Sequence, residues 1–237
     1  RGLESHAGVF ARFALAVAVA APALFSSFEP LPLELKAPFN ELFDHARDDE
    51  SYAVAGTLTY RDGGRPVSVE NVKITLRGNT SRNENECAFP KLKVQLPNGP
   101  RTSGALFDGM GSIKIGTHCG EAPDEGVTIK YGRLPNEHSP MREVFVYRLL
   151  ETLGVPALKA RAAAITYVYT DPKPGETPPQ DQPLVRRGLL LEDESAGVAR
   201  FGGTRAIPEK EFTNARAQFA PADTVRLAFA EALIGNF

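Results

Sequence analysis

The sequence predicts an α+β fold, in which an antiparallel sheet carries one packed helix and a second helix begins a further region. Apolar and polar residues alternate with a period of two through much of the first half of the chain, whereas apolar residues recur at helical spacing between residues 139 and 155. A hydrophobic content of 42% in 237 residues is that of a globular protein with a buried core. The formal net charge of −2 provides no basic surplus, so nucleic acid is not an expected partner.

The first predicted strands form a hairpin. The segment "SYAVAGTLTY" is followed by the turn sequence "RDGG" and by "RPVSVENVKITLRG", which alternates from Val72 to Arg77. The segment "AFPKLKVQL" repeats the pattern and places Lys91 and Lys93 on one face of its strand. "GSIKIG" predicts a further short strand. The glycines before it do not indicate a phosphate loop, because a strand and not a helix follows them.

One amphipathic helix is predicted in the second half of the chain. The segment "SPMREVFVYRLLETLGV" opens with Ser139 as a candidate N-cap and Pro140 at the first helical position, and Gly154 follows the last turn. Two strands, "ARAAAITYVYT" and "LVRRGLLLEDE", flank a proline-rich loop at residues 171–183. The segment "PADTVRLAFAEALIG" then predicts a second helix.

The N-terminal segment indicates export. An apolar run of about a dozen residues, Phe13 to Phe25, is preceded by Arg1 and Arg12, and its length suits a secretory signal better than a membrane span of about 20 residues. We therefore expect a signal peptide or N-terminal anchor at residues 1–27 and a leading segment or linker at residues 28–50. The alternative is a buried N-terminal helix. Export places the protein in the periplasm, at the cell surface or outside the cell, with membrane contact only through this segment.

Two cysteines, Cys87 and Cys119, fit an exported protein. An even cysteine count in an oxidising compartment favours one disulfide, which requires the loop after "RGNTSRNENE" to lie beside the strand that ends at "IKIGTHC". The alternative is two unrelated buried thiols. His118 is adjacent to Cys119, but one such pair without a second pair of ligands does not indicate a zinc site.

Four segments, in this order, resemble the spore-coat CotH kinase-like family. They are "LRGNTSR", the later "KLK", "MREVFVYRLLETLGVPALKAR" and the closing "EALIGNF". The resemblance covers most of residues 53–237. It implies a kinase-like N-terminal lobe at residues 51–194, built from an antiparallel sheet with one packed helix, and the first helix of an incomplete C-terminal lobe at residues 195–237.

The resemblance also implies a function. It is that of an exported atypical kinase, which transfers phosphate from ATP to serine or threonine hydroxyls of an exported protein substrate with Mg²⁺ or Mn²⁺. Such transfer needs donors around the nucleotide phosphates, a lysine held by a carboxylate, and metal-binding acids. Two alternatives stay open: a pseudokinase or cell-surface structural and binding module, and a β-rich carbohydrate-binding module. The sequence does not indicate an oligomeric state.

The resemblance assigns the loop after the second strand to the nucleotide phosphates. Asn79, Thr80 and Ser81 would line a phosphate-sized concavity together with neighbouring backbone N–H groups. Arg77 and Arg82 would supply positive charge. The alternative is a hairpin loop whose polar side chains satisfy their own backbone.

The remaining implied site residues are two lysines and three acids. One of Lys91 and Lys93 would reach the phosphates while it pairs with Glu143 of the packed helix, and we favour Lys93. The alternative is a solvated strand face. Glu192 and Asp193 would lie at the connection between lobes, where an acid can hold the ribose. The alternative is a capping or loop role for these two acids.

Two departures from the family pattern bear on these expectations. The proline-rich segment 171–183 replaces a glycine-rich hairpin, which alters the edge of a nucleotide pocket. The aspartate that the family places directly after Phe237 lies beyond the sequence. We therefore assign no catalytic residue within it, assign Asn236 as a metal ligand, and expect these 237 residues to be inactive alone.

Overall fold

The computed structural model describes residues 22–78, 80–83, 87, 89–97, 106–119, 138–171, 183–205, 207, 211–215 and 220–233, with the backbone alone at residues 80, 212 and 233. Its strands are β1 (Leu31–Ala37), β2 (Val54–Asp62), β3 (Arg65–Leu76), β4 (Leu92–Gln95), β5 (Ser112–Gly116), β6 (Ala160–Tyr169) and β7 (Leu184–Glu192). Its helices are α1 (Phe39–Ala46), α2 (Ser139–Thr152), α3 (Glu194–Arg200), α4 (Phe212–Ala215) and α5 (Pro221–Leu233). Every strand and helix predicted from the sequence is confirmed, and β1, α1, α3 and α4 are additional.

The seven strands form one closed barrel in the order β1-β2-β3-β4-β5-β7-β6. Neighbouring strands are antiparallel except β1 and β6, which run parallel and close the barrel. The expected kinase-like N-terminal lobe is therefore wrong: the sheet is a closed mixed barrel with few helices, not an antiparallel sheet with one packed helix and the start of a second lobe. The physical reason is β1, which pairs with β2 on one side and β6 on the other and so leaves neither strand as an edge.

The closing strand lies in the segment 28–50, where the sequence predicts a leading segment or linker. Its sequence, "LPLELKA", alternates in the manner of a half-buried strand, with Leu31, Leu33, Leu35 and Ala37 buried. Directly after it, α1 buries Phe39 and Leu42 against the same core. A period-two pattern of only seven residues thus determines whether the sheet is open or closed.

Apolar side chains fill the inside of the barrel. Two cross-strand rows point inward, with every member at most 3% exposed: Ile74, Val94 and Ile113 in one row, and Leu76, Leu92, Ile115 and Leu190 in the other. A barrel with few strands has an interior just wide enough for side chains to fill. Residues between these rows point outward, because side chains alternate along a strand.

On the outside of the barrel, α2 packs against β6 and β7. The contact is a small apolar cluster of Ala160, Leu189 and Leu191 with Val144, Tyr147 and Leu158. The helix begins at Ser139 itself, so the N-cap position belongs to His138 and not to Ser139 as predicted. Gly154 follows the helix with φ of 69°, a conformation that glycine adopts without steric cost.

Cys87 and Cys119 are joined by a disulfide, with their Cα atoms 4.4 Å apart. This is the pairing that the even cysteine count favoured. The bond ties the loop after β3 to the segment after β5. Beside it, the Phe89 N–H donates to the Cys119 carbonyl at 3.0 Å, and the Arg186 guanidinium stacks 4.4 Å from the centre of the Phe89 ring.

The chain packs on the barrel from before the end of the predicted signal segment. Leu24 and Phe25 are buried, and the Leu24 carbonyl accepts a hydrogen bond from Arg161 at 3.0 Å. Residues 1–21 lie outside the described residues, so the prediction for them stays a prediction. Cleavage before Leu24 would keep these contacts. Among the described helices, none has the length and apolar character needed to span a membrane.

Candidate functional site

Two lysines lie opposite each other on the outer face of the barrel, on strands whose inner face is apolar. Lys93 of β4 lies directly opposite Lys114 of β5, with Thr75 and Leu191 as their neighbours in the same cross-strand row. Like charges directly opposite one another destabilise a sheet. Negative charge is therefore needed at this point, either from the protein or from a ligand.

Asp193, the residue directly after β7, supplies part of this negative charge. Its Oδ2 accepts from Lys93 Nζ at 2.6 Å and from the Ser112 hydroxyl at 3.1 Å. Its Oδ1 accepts from the N–H of Ser195 at 3.1 Å and from the Ser195 hydroxyl at 2.7 Å, and so caps α3. Both oxygens of this buried carboxylate are thus engaged.

Glu194, the next residue, pairs with Lys114. The two partners differ in exposure, because the Lys114 side chain is 7% exposed and the Glu194 side chain is 53% exposed. Lys114 therefore lies at the bottom of the site. Its counter-ion lies at the edge, in contact with water.

Lys91 extends the positive charge toward α2. Its Nζ lies 3.5 Å from Glu143 Oε2, and both side chains are about one third exposed. A lysine of this strand thus pairs with Glu143, but it is Lys91. Lys93, which we favoured for this contact, pairs instead with Asp193 because that carboxylate lies beside it at the end of β7.

Arg77, directly after β3, completes a group of four basic side chains. Its backbone N–H donates to the Lys91 carbonyl at 2.9 Å, and its Nη2 lies over Gly116 of β5, 3.7 Å from where a Cβ would be. Two of its nitrogens, Nε and Nη2, are buried without a hydrogen-bond partner. Buried donors of this kind are costly unless a ligand or water accepts from them.

We call Arg77, Lys91, Lys93 and Lys114 the cationic cluster. Burial lowers the pKa of Lys114 to about 8, with Arg77 and Lys93 adding to the effect and Asp193 opposing it. Burial would raise the pKa of Asp193, but hydrogen bonds from Lys93 and Ser195 outweigh it and hold that pKa well below its usual range. At neutral pH four cations therefore face three carboxylates, which leaves one positive charge in surplus.

The predicted phosphate loop is bonded largely to its own surroundings. The Ser81 hydroxyl donates to the Arg77 carbonyl at 2.6 Å, and the Arg82 guanidinium donates to the Ala46 carbonyl at 3.1 Å. The first contact is one expected of a loop that satisfies its own backbone, and the second ties the loop to the end of α1. Among the described side chains of this loop, only that of Arg77 belongs to the cationic cluster.

Three other predicted ligands are less fully described. Asn79 and Asn236 lie outside the described residues, and Thr80 is described by its backbone alone, in a short turn of 3₁₀ helix at Thr80–Arg82. Their roles stay predictions.

Glu192 has its partners within the protein. It is 1% exposed, and its carboxylate accepts from Arg200 Nε at 3.1 Å, from Arg200 Nη2 at 2.7 Å and from the Lys159 N–H at 3.0 Å. These bonds fix α3 and the segment after α2 to the end of β7. The geometry is that of the capping or loop role, the alternative to a ribose contact.

Sequence reasoning misses two residues of the site, Lys114 and Glu194. For Asp193, the capping role that the sequence leaves as the alternative is the one found, at the start of α3. The alternation of "SIKIG" does indicate that Lys114 points away from Ile113 and Ile115. The signal that is absent from the sequence is the register, which sets Lys114 opposite Lys93 and brings the end of β7 beside both. Asp193 and Glu194 follow a buried strand, where acids most often cap the next helix.

The described residues provide no ready metal site. Among them, no group of three or more histidine, cysteine, aspartate or glutamate side chains could hold a metal ion. The site's three carboxylates, on Glu143, Asp193 and Glu194, each pair with a lysine. The expected Mg²⁺ or Mn²⁺ therefore stays a prediction.

The geometry suits an anion with several oxygens, because ammonium and guanidinium groups form short charge-assisted hydrogen bonds to phosphate. Comparison with protein-family models gives no match for the chain. Comparison with curated proteins also gives no match. The resemblance to the CotH kinase-like family therefore rests on the four sequence segments alone.

Proposed function

We propose that the cationic cluster binds the phosphate groups of ATP, and that the protein is an exported phosphotransferase similar to the CotH kinase-like proteins. One observation carries the proposal. Arg77, Lys91 and Glu143 come from three of the four segments on which the resemblance rests, and they meet on one outer face of the barrel. If each segment had only a local structural role, in its own turn or strand, these three distant side chains would not be expected to lie together.

The chemistry of the cluster supports this proposal. Phosphoryl transfer is catalysed mainly by positioning and by stabilising charge on the phosphoryl oxygens. Lys91 pairs with Glu143 and is therefore a positioned ammonium group of the kind that phosphoryl transfer needs. Arg77 offers the two unpartnered nitrogens, Nε and Nη2, which could donate to neighbouring phosphate oxygens. We therefore assign the lysine role to Lys91 in place of Lys93.

The proposal includes Mg²⁺ or Mn²⁺ and a protein substrate. Because the three carboxylates of the site already pair with lysines, we assign the metal ligands and the general base to residues outside this site. The acceptor would be a serine or threonine hydroxyl of an exported protein. Export and acceptor both follow from the sequence and the resemblance.

The test is transfer of labelled phosphate from γ-labelled ATP by the full-length protein, with Mg²⁺ or Mn²⁺ and exported proteins as acceptors. Lys91→Ala should lower the rate at least about tenfold, equivalent to roughly 1.4 kcal/mol of transition-state stabilisation. Lys73→Ala is the matched control, because Lys73 is an exposed lysine of the neighbouring strand β3. Equal rates in wild type and Lys91→Ala would contradict the proposal.

A scaffold without transfer activity is the second candidate. The observation that favours it is that each lysine of the cluster already has a carboxylate partner, as in a structural ion-pair network. ATP binding without phosphate transfer under any of these conditions would favour the scaffold. A full-length protein that binds no nucleotide but binds a polysaccharide would favour the β-rich carbohydrate-binding module.

A further inference from the structure

Two consecutive carboxylates neutralise two opposed lysines in different ways. Asp193 is fixed: its side chain is 8% exposed, and its two oxygens accept from Lys93, Ser112 and Ser195. Moving it would break the cap of α3 as well as the ion pair. Asp193 is therefore a permanent part of the sheet's outer surface.

Glu194 is held far less firmly. It contacts the cationic cluster through one oxygen, Oε1, and its side chain is 53% exposed. A half-exposed carboxylate can rotate into water at little cost, because ion pairs at such positions contribute only about 0–1 kcal/mol. Another anion can therefore compete with Glu194 for the position beside Lys114.

Lys114, in contrast, cannot turn away to water. Its side chain is 7% exposed. The positive charges of Arg77 and Lys93 lie close enough to lower its pKa. A buried ammonium requires a partner. If Glu194 leaves, Lys114 either binds another anion or loses its proton.

We propose that Glu194 is an exchangeable counter-ion for Lys114, and that a polyphosphate anion displaces it and binds Lys114 as the innermost contact of the site. The anion gains a charge-assisted bond to Lys114 and the two unpartnered nitrogens of Arg77. Glu194 thereby reduces affinity for weak anions, which cannot compete with a carboxylate that is already in place. That the natural anion is a nucleotide rests on the proposed function.

The proposal predicts that removing the charge of Glu194 affects anion binding, whereas removing the charge of another exposed glutamate does not. Glu194→Gln removes the competing carboxylate and its repulsion of phosphate, so it should tighten anion binding by about threefold or more. Glu211→Gln is the matched control, because Glu211 is a similarly exposed glutamate that pairs with Arg205, outside the cluster. The control should change anion affinity by less than about 1.5-fold.

The experiment is calorimetric titration of the full-length protein with inorganic tripolyphosphate at physiological salt. Lysine acetylation in the same samples, read by mass spectrometry, gives a second measurement. Lys114 should be acetylated faster in Glu194→Gln than in wild type, and tripolyphosphate should protect Lys114 in both. A structural role for Glu194 would predict lower stability without this protection. Unchanged affinity in Glu194→Gln, or no protection of Lys114, would overturn the proposal.

Failure of this inference is distinguishable from failure of the proposed function. If wild type and Glu194→Gln transfer phosphate from ATP and bind tripolyphosphate equally, the inference is wrong and the function stands. If tripolyphosphate binds more tightly to Glu194→Gln but ATP gives neither binding nor transfer, the inference stands and the function is wrong. If no variant binds tripolyphosphate, the inference is overturned as well.

Discussion

The nine residues of β4 and β5 form both an inner and an outer face of the barrel, and the two faces are stabilised by different interactions. Inside, Leu92 and Ile115 face each other in a filled apolar core. Outside, Lys93 and Lys114 face each other and depend on carboxylates from beyond the end of β7. The apolar side chains inside stabilise the fold by burial and close packing, so a cavity there is costly. The lysines outside are not needed for this packing.

The largest expected effect separates Leu92, the first residue of β4, from Lys91, which directly precedes it. Leu92→Ala should lower the free energy of unfolding by about 2–5 kcal/mol, because it removes a 1% exposed side chain and leaves a cavity. Lys91→Ala, one residue away on the outer face, should cost less than about 1 kcal/mol. Urea denaturation of the two variants measures the difference. Equal losses would show that the outer face supports the fold as much as the core does.

An intermediate effect is expected for Asp193→Asn. It removes a charged helix cap and the partner of Lys93, so we expect a loss of about 1–2 kcal/mol at neutral pH. The pKa of Asp193 is held below its ordinary value in the folded state, so its contribution is complete above an unfolded pKa near 3.9 and is lost as the pH falls through the folded pKa. Denaturation curves of wild type and variant should therefore converge below about pH 4. A constant difference down to pH 2 would contradict this role.

The smallest effect concerns Lys114. Its pKa is about 8 in the folded protein against 10.5 for an ordinary lysine, so between these values the unfolded chain binds more protons than the folded one. Stability then rises with pH in this window. Relative to Lys114→Met, which does not titrate, wild type should gain about 1 kcal/mol between pH 8 and pH 10.5 after allowance for solvent screening. Parallel stability curves would show that Lys114 is not buried as described.

Local patterns predict the elements of this fold well and their assembly poorly. The alternation in "NVKITL" and "KLKVQL" gives β3 and β4 with their inward faces, and "SPMREVFVYRLLETLG" gives α2. The closure of the barrel depends on the parallel pairing of β1 with β6, between residues about 130 positions apart, and no local pattern reports that contact. The strand "LPLELKA" lies outside residues 51–194, which the resemblance assigns to one lobe.

The candidate site is predictable in the same partial way. Arg77, Lys91 and Glu143 are identified from motifs, and Lys91 and Glu143 do pair. Lys114 is missed because its importance arises from cross-strand register. The resemblance gives Glu192 a ligand role, whereas its carboxylate pairs with Arg200 of α3, a helix that the sequence pattern does not predict.

The most direct test of the cationic cluster is calorimetric titration of ATP into the full-length protein and its Arg77→Ala and Lys73→Ala variants, with thermal unfolding to verify that each variant is folded. We predict that wild type binds ATP, that added salt weakens binding, and that Arg77→Ala weakens it about tenfold, or roughly 1.4 kcal/mol. Lys73→Ala should bind as wild type does. Absence of ATP binding to folded wild type, or equal affinities in wild type and Arg77→Ala, would contradict the assignment of this face as a phosphate-binding site.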